Sequence, residues 1–329
     1  MSRAVDSPVL YFGKLPSRGD FVRSAHSAGL VQAMDAWLSG GMELASEDAR
    51  WKLLYDRAAP VQFAVLSSRQ TRAMVGYLSA SQDASGRRFP FVTAATLECE
   101  NPLHFLARAP LALLRPWSRL GRWSQELRLA TDATAALAEL GGSSVSVESD
   151  GASYDASFDD FCEMQTVGSL QSLLTAAGHP ANVRQLMLGL GLLLEPVMSS
   201  GENQLQKGLQ LPLPLDPLQR PIVAAFWLEL VAPFLSRASF DLALFQQEGS
   251  AQTAPALLLG FEGSSGRSLH ALLDPEQSAQ LYLDVCQAEW VEESVSQNYG
   301  LHKLSSYLHQ DGLSLRQAVN TFKEVFMGR

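Results

Sequence analysis

Residues 11–23, YFGKLPSRGDFVR, form the stretch that decides the first part of the fold. Gly13, Pro16 and Gly19 recur there at a regular short spacing. Glycine permits backbone conformations that other residues avoid, and proline fixes φ, so this spacing predicts a loop of defined conformation. The charged side chains of the stretch are Lys14, Arg18, Asp20 and Arg23. They either form a recognition surface or hold the loop in place through ion pairs.

A second loop, QDASGRRFP, carries the side chains that a tight turn requires. Asp83 can accept hydrogen bonds from nearby backbone N–H groups in an Asx turn, and Gly86 can take a positive φ. Arg87 offers several N–H donors in a fixed plane, which suits a carboxylate. A buried pairing of Arg87 with Asp20 or Asp35 would join this loop to the first one. Such a pairing would be structural rather than catalytic.

The pattern of apolar residues in the first half predicts a mixed α/β fold. Short apolar runs bounded by turn residues predict strands at 9–12, 61–66, 73–78 and 89–97. Helical spacing around Trp37 predicts a helix, and the pair Gly40 and Gly41 is expected to end or interrupt it. Further helices are expected at 103–114 and 117–140.

The second half repeats this order of elements. Strands are expected at 209–213, 240–245 and 256–261, and helices at 221–235, 275–297, 301–309 and 314–326. Each half therefore contains a strand, a helix with a tryptophan, two strands and then helices. We interpret the second half as an α/β domain that is a divergent repeat of the first.

Residues 141–144, GGSS, mark the expected boundary between the two halves. Glycine and serine favour loops, and an acidic, serine-rich stretch that includes Asp155 and Asp159 follows them. The expected domains are residues 1–142 and 143–329. The acidic stretch is expected to be a solvated linker.

The charge of the chain is unevenly distributed. The 329 residues carry a formal charge of −9 from 25 Lys and Arg against 34 Asp and Glu. Residues 1–148 hold 16 basic and 14 acidic residues, a net of +2, which leaves 9 against 20, a net of −11, for the rest. An acidic chain without a basic stripe is a poor candidate for counterion-driven binding of nucleic acid.

Composition and motifs also limit the cellular compartment and the chemistry that we expect of the protein. The three cysteines are far apart and form no CxxC pair, which fits a reducing compartment. Neither the N-terminus nor any apolar run predicts a signal peptide or a membrane insertion. Phosphate-binding loops, nucleophile elbows and metal-binding motifs are missing from the sequence. We therefore expect a cytoplasmic protein that is not an enzyme and has no cofactor and no metal.

The two loops, taken in order with the residues between them, carry a family resemblance. GKLPSRGDFVR, MDAWL with Asp35 and Trp37, WKLLYD with Trp51 and Tyr55, and the DxxGRxFP pattern resemble the TagF/ImpM family, which is associated with type VI secretion systems. The later segments LQKGLQLPLP and AAFWLEL resemble the C-terminal part of longer members. One departure is Ala80, which stands where the family usually has proline.

The resemblance implies a fold and a function. The fold it implies is a longin-like antiparallel sheet flanked by helices. The function it implies is non-enzymatic: a post-translational repressor of type VI secretion system assembly that binds a cytoplasmic forkhead-associated scaffold protein. An alternative is a longin-like adaptor that binds a small GTPase or another switch protein. A hydrolase would instead require a deep pocket that gathers Asp20, Asp83 and a histidine.

The site residues divide into two groups. Those expected to touch the partner are Lys14, Arg18, Phe21 and Arg23. Those expected to hold the structural motif together are Gly13, Pro16, Gly19, Asp20, Asp35, Trp37, Asp83, Gly86, Arg87 and Pro90. On this division, Lys14→Glu or Arg18→Glu would weaken partner binding and leave the fold intact.

Overall fold

The computed structural model describes residues 4–200, 205–237, 239–250 and 253–328. These residues contain ten strands: β1 Ala4–Gly13, β2 Val22–Arg23, β3 Val61–Ser67, β4 Arg72–Ser79, β5 Phe91–Glu98, β6 Ser144–Glu148, β7 Gly208–Pro212, β8 Asp241–Gln247, β9 Ala256–Gly260 and β10 Tyr282–Asp284. They form one sheet in the order β10-β7-β9-β8-β3-β4-β5-β1-β2, and β6 pairs with β1 off this path. The strand pairs are antiparallel except β10 with β7, which is parallel.

Helices cover both faces of the sheet. They are α1 Ala28–Ser46, α2 Trp51–Arg57, α3 Pro102–Ala112, α4 Leu114–Leu129, α5 Thr134–Gly141, α6 Asp155–Met164, α7 Val167–Ala176, α8 Val183–Ser200, α9 Arg220–Val231, α10 Gly266–Leu273, α11 Pro275–Leu281, α12 Val291–Gln297, α13 Tyr299–Leu308 and α14 Leu315–Met327. The core on one face includes residues of α1, α2, α10 and α11, and the core on the other face includes residues of the remaining helices. The predicted mixed α/β class, with a large antiparallel sheet flanked by helices, is confirmed.

The alternation of side chains along the central strands explains this three-layer arrangement. On β3, Phe63 belongs to the core under α1, whereas Ala64 and Leu66 belong to the core on the opposite face. Strand β8 has buried apolar residues on both faces, since Ala243 points to one core and Leu244 to the other. A strand covered on both faces shows a nearly continuous apolar run, and the LALF segment of β8 has that form.

The expectation that the glycine pair at 40 and 41 stops the first helix is wrong. Helix α1 continues through both glycines to Ser46. Helix α10 crosses α1 closely at these glycines. A Cβ on Gly41 would lie 2.5 Å from the Cβ of Leu269, and a Cβ on Gly266 would lie 2.9 Å from the backbone of Gly40. The glycines therefore serve the crossing of two helices and do not end one.

Strands β3 and β8 join the two halves in the middle of the sheet. Phe63 pairs with Phe245, and Ala64 pairs with Leu244, in an antiparallel register. The halves also exchange helix contacts, since α1 packs on α10 and α3 packs on α9. A duplicated pair of units related by a two-fold axis would produce such contacts. The duplication and the longin-like detail stay predictions.

The acidic stretch after residue 144 is folded, contrary to the expectation of a solvated linker. Strand β6 pairs with the N-terminal part of β1, as in the pairing of Val145 with Ser7. The following residues form α6, which buries Phe158 and ties Asp159 to Arg316 by an ion pair. The sheet and the larger core cluster continue across the expected boundary at residues 142 and 143. The division into two domains stays a prediction.

The helix expected at 275–297 is also interrupted. Two short helices, α11 and α12, flank strand β10, which adds to the sheet beside β7. Tyr282 opens this strand and is buried against the Gly208 backbone, where a Cβ would lie 2.5 Å from the tyrosine ring. Burial of Tyr282 therefore accompanies the pairing of β10 with the sheet between the two helices.

Candidate functional site

The two loops found in the sequence meet at one end of the sheet. We call residues 13–23 and 79–91 together the clasp. The Ala84 N–H donates a hydrogen bond to the Arg18 carbonyl (2.8 Å), and the Ser81 hydroxyl donates one to the Lys14 carbonyl (2.7 Å). Arg87 adds a third link, from Nη2 to the Gly19 carbonyl (2.7 Å). The predicted joining of the two loops is therefore present.

Asp83 lies at the centre of the clasp, and its side chain is 0% exposed. Its Oδ1 accepts hydrogen bonds from the Ser85 N–H, the Ser85 hydroxyl and the Arg87 N–H. Its Oδ2 lies 3.0 Å from Lys14 Nζ and 2.6 Å from Arg87 Nε. Burial raises the pKa of this carboxyl, but the donors from Ser85, Arg87 and Lys14 outweigh burial and hold the pKa well below its usual range.

The expected partner of Arg87 was wrong. Arg87 pairs with Asp83 in its own loop and reaches the other loop through a carbonyl oxygen, not through Asp20 or Asp35. Asp20 is exposed, and its Oδ1 accepts the N–H of Phe21. Asp35 is exposed on α1 and accepts a hydrogen bond from the Ser39 hydroxyl one turn later. Asp20 and Asp83 therefore occupy different environments, one at the surface and one sealed.

Lys14 requires a correction, since it was expected at the partner surface. Its side chain is 9% exposed, and its ammonium group pairs with Asp83. The ring of Phe21 covers it, with Nζ 4.9 Å from the ring centroid, so the cation faces an aromatic ring as well as a carboxylate. Lys14 therefore belongs to the group of residues that hold the clasp together.

The glycines of the clasp differ in what they do. Gly13 has φ 135°, and a Cβ there would lie 2.0 Å from the Pro90 carbonyl oxygen, so the two loops approach too closely for a side chain. Gly86 has φ 78°, which confirms the predicted positive φ. Gly19 has no atom within 4 Å of its Cβ position, and Pro16 is exposed.

Phe21 is the aromatic residue that the clasp presents to solvent. It is 43% exposed, and its ring stacks on Phe12 at 5.6 Å and meets the edge of Phe89 at 4.8 Å. Arg23 is exposed beside it on β2. Arg18 is half-buried and donates from Nη2 to the Thr134 hydroxyl. Phe21, Arg23 and part of Arg18 are thus accessible among the four expected contact residues.

Two aromatic residues between the loops support the clasp from below. The Tyr55 hydroxyl donates to the Ser81 carbonyl and accepts the Ser81 N–H, both at 2.8 Å. Burial raises the pKa of Tyr55. Trp37 is buried under the sheet and donates from Nε1 to the Ser268 hydroxyl on α10. No sequence pattern placed Tyr55 against the second loop, because its partner is a backbone group.

A family comparison covers the whole of this region. Residues 11–140 match the family model described as TagF N-terminal domain, Type VI secretion system-associated. These residues are a TagF N-terminal domain. All the residues predicted to hold the structural motif together, from Gly13 to Pro90, lie inside the matched range. For these residues the resemblance found in the sequence is confirmed, and it links the chain to the type VI secretion system. The resemblance of the two later segments stays a prediction.

Comparisons with solved structures and with curated proteins show less about this chain than the family model does. The crystal structure of PA0076 from Pseudomonas aeruginosa PAO1 is 17% identical and aligns over 81% of this chain and 94% of that chain, with a TM-score of 0.45. No curated protein matches the sequence.

A buried charge cluster connects the TagF N-terminal domain to the rest of the chain. Arg108 on α3 is 5% exposed and donates to Asp155 on α6 (2.8 Å) and to Glu229 on α9 (2.6 Å). Lys323 on α14 also pairs with Glu229. Burial raises the pKa of Glu229, but these two cations outweigh it and lower that pKa. The signal for such a cluster is a single charge within an apolar helix, as in FLARAPLA and AFWLELV.

Cys99, Cys162 and Cys286 are buried and free, and burial raises the pKa of the Cys99 thiol to about 12. Across residues 4–200, 205–237, 239–250 and 253–328, no group of His, Cys, Asp or Glu is placed to hold a metal ion. None of the helices in these ranges has the length and apolar character needed to cross a membrane.

Proposed function

We propose that this chain is a non-enzymatic, post-translational repressor of type VI secretion system assembly that acts in the cytoplasm by binding a forkhead-associated scaffold protein. The observation that carries the proposal is the coincidence of two features. The TagF N-terminal domain contains the complete clasp, and the clasp holds one aromatic side chain, Phe21, at the surface.

The state of the clasp carboxylates supports a structural rather than a catalytic role for them. Asp83 accepts five contacts from Ser85, Arg87 and Lys14, so its lone pairs are already occupied. A general base needs a pKa near the working pH, whereas the pKa of Asp83 is lowered. Asp83 is therefore suited to fixing a loop and not to taking a proton from a substrate.

The rigidity of the clasp supports a role in binding. Phe21 sits on a loop that hydrogen bonds fix at Lys14, Arg18 and Gly19. A side chain fixed before binding loses little conformational freedom when a partner covers it. Aromatic residues and arginines are also the residue types that contribute most to protein interfaces, and Arg23 lies two residues after Phe21 along the chain.

Deletion of the gene in a bacterium that runs the secretion system tests the proposal. We expect secretion of the system's substrate proteins to rise on deletion and to fall again when the wild-type chain is supplied. We also expect Phe21→Ser to restore repression poorly, whereas Met164→Ser, a change at a side chain that is 73% exposed on α6, restores it fully. Unchanged secretion on deletion would show that the chain is not a repressor.

A further inference from the structure

A small recess lies at the end of the sheet that is opposite to the clasp. Strand pairing places Pro212, the last residue of β7, at the clasp end, so Gly208 begins β7 at the opposite end. The recess has a volume of about 20 Å³. The lining residues that decide its chemistry are Gly208, Gly260, Glu262, Ser265, Ser268 and Tyr282.

The ring of Tyr282 reaches across two strands into this recess. Tyr282 is 2% exposed and opens β10. A Cβ on Gly208 would lie 2.5 Å from the tyrosine ring, and a Cβ on Gly260 would lie 3.8 Å from the tyrosine hydroxyl oxygen. Leu209 pairs with Leu259, so the two glycines stand opposite each other on β7 and β9. The lack of a side chain at Gly208 therefore leaves room for the ring, and the hydroxyl lies beside the end of β9.

The hydroxyl of Tyr282 is buried and has no hydrogen-bond partner among the residues that the structure describes. A tyrosine hydroxyl can donate one hydrogen bond and can also accept, and a buried hydroxyl left unpaired lowers stability. Tyr55 is equally buried, but it finds both of its partners in the backbone of Ser81. The chain thus supplies partners for one buried tyrosine hydroxyl and leaves the other facing a recess.

Two serines at the start of α10 line the same recess and differ in their remaining hydrogen-bonding capacity. Ser268 Oγ accepts from Trp37 Nε1 (3.2 Å) and from the Ser265 N–H (3.1 Å), and it donates to the Ser265 carbonyl (2.7 Å). Ser265 Oγ accepts the Ser268 N–H (3.3 Å), but its hydroxyl hydrogen has no acceptor within the described part of the chain. Ser265 can therefore donate one more hydrogen bond, whereas Ser268 is fully used.

Size and charge select the molecule that fits this recess. A cavity needs about 10–15 Å³ to hold a water molecule, whereas sites for drug-sized ligands measure about 300–1,000 Å³. The recess, at about 20 Å³, has room for a water molecule and not for an organic ligand. Its buried polar side chains are neutral hydroxyls, which give an ion no opposite charge. Glu262 also lines the recess, but its side chain is 50% exposed and lies 4.0 Å from Arg267.

We propose that this recess is a binding site for one ordered water molecule that bridges the hydroxyls of Tyr282 and Ser265. The water accepts the remaining hydrogen of Ser265 and completes the hydrogen bonding of Tyr282. It thereby joins β10, a strand of three residues at the edge of the sheet, to the turn of α10 that holds Trp37. The inference is independent of the proposed function.

A high-resolution crystal structure of the full-length chain tests the site directly. We expect one peak of water density at about 2.8 Å from both Tyr282 Oη and Ser265 Oγ. Density for a larger molecule in the recess would overturn the assignment. A recess without density, or a protein group bonded to Tyr282 Oη, would also overturn it.

Replacement of Tyr282 by phenylalanine gives opposite results with and without the water. If the water is bound, Tyr282→Phe removes one of its partners, and we expect the thermal midpoint to fall by roughly 2 °C. If the hydroxyl has no partner, its removal deletes an unpaired buried group, and the midpoint stays unchanged or rises. Tyr299→Phe is the matched control at a side chain that is 84% exposed, and we expect no change. A midpoint of Tyr282→Phe equal to or above that of the wild type would overturn the proposal.

Hydrogen exchange measures whether the water holds β10 in place. The Val285 N–H follows β10 and donates to the Gln210 carbonyl (3.2 Å). We expect this amide to exchange about fivefold faster in Tyr282→Phe than in the wild type. The Ala84 N–H, which donates to the Arg18 carbonyl in the clasp, is the internal control and should keep its rate. An unchanged rate at Val285, or equal acceleration at both amides, would overturn the bridging role.

Discussion

The ammonium group of Lys14 lies 3.0 Å from the buried Oδ2 of Asp83, and the ring of Phe21 covers it. This contact reverses the roles that the sequence indicated for the first loop. The lysine that was expected to touch a partner holds two loops together, and the phenylalanine above it is the accessible side chain. The same few residues therefore contain both the support and the exposed contact.

Replacement of Lys14 should lower stability much more than replacement of its neighbour. Lys14→Met leaves a buried carboxylate with one cation in place of two, and we expect the thermal midpoint to fall by roughly 5 °C. Arg18→Met removes a half-exposed pair with Asp132 at 3.7 Å, and we expect the free energy of unfolding to fall by about 1 kcal/mol or less. Thermal unfolding followed by circular dichroism measures both. Equal midpoints for the two variants would refute the structural role of Lys14.

Two glycines of the same loop provide a matched pair. Gly13→Ala places a Cβ 2.0 Å from the Pro90 carbonyl oxygen at a φ of 135°, and we expect a loss of roughly 3 kcal/mol in the free energy of unfolding. Gly19→Ala meets no atom within 4 Å and should change this free energy by less than about 0.5 kcal/mol. Urea denaturation measures the difference. A tolerated alanine at position 13 would contradict the close approach of the loops.

The stability of the clasp should depend on pH through Asp83. Its folded-state pKa lies below the unfolded value of about 3.9, so its contribution is complete above that value and is lost as pH falls through the folded-state pKa. Asp83→Asn should be less stable than the wild type at pH 7. The difference between the two should shrink below about pH 3. Urea midpoints measured across this range check the sign, and a difference that does not vary with pH would contradict it.

The buried cluster around Arg108 should contribute more to the free energy of unfolding than surface ion pairs do. Arg108→Met leaves Glu229 with Lys323 alone and removes a partner of Asp155, and we expect a loss of about 3 kcal/mol in the free energy of unfolding. Arg122→Met is the control, because Arg122 pairs with Glu126 at 3.9 Å on an exposed face, and we expect less than about 0.5 kcal/mol. Similar losses for the two variants would show that the cluster does not join the helices.

The sequence predicted those features of the clasp that depend on local chemistry. The positive φ of Gly86 and the turn at Asp83 follow from residues within the same loop. The partner of Arg87 was not predicted, although Asp83 lies only four residues before it, because only the folded chain shows that the Asp83 carboxylate is buried beside Lys14 and Arg87. The burial of Lys14 also depends on a distant loop, so no local pattern indicated it.

The predictions of longer elements were wrong where tertiary contacts overrode a local signal. The glycines at 40 and 41 normally weaken a helix, but here they allow α10 to cross α1. The acidic run after residue 150 looked solvated because its partners, Arg108 and Arg316, are far away in sequence. The hydrogen bonds from Arg220 to the carbonyls of Pro214 and Leu215 were also not predicted, since their acceptors are backbone groups.

The Kd of the full-length chain for the purified forkhead-associated scaffold protein, measured for the wild type and for Phe21→Ser, tests the central claim most directly. We predict measurable binding by the wild type and a Kd raised about tenfold or more by Phe21→Ser, with Met164→Ser unchanged and all three chains folded. Equal Kd values for the wild type and Phe21→Ser, or no binding by the wild type, would contradict the claim that the clasp presents Phe21 to that partner.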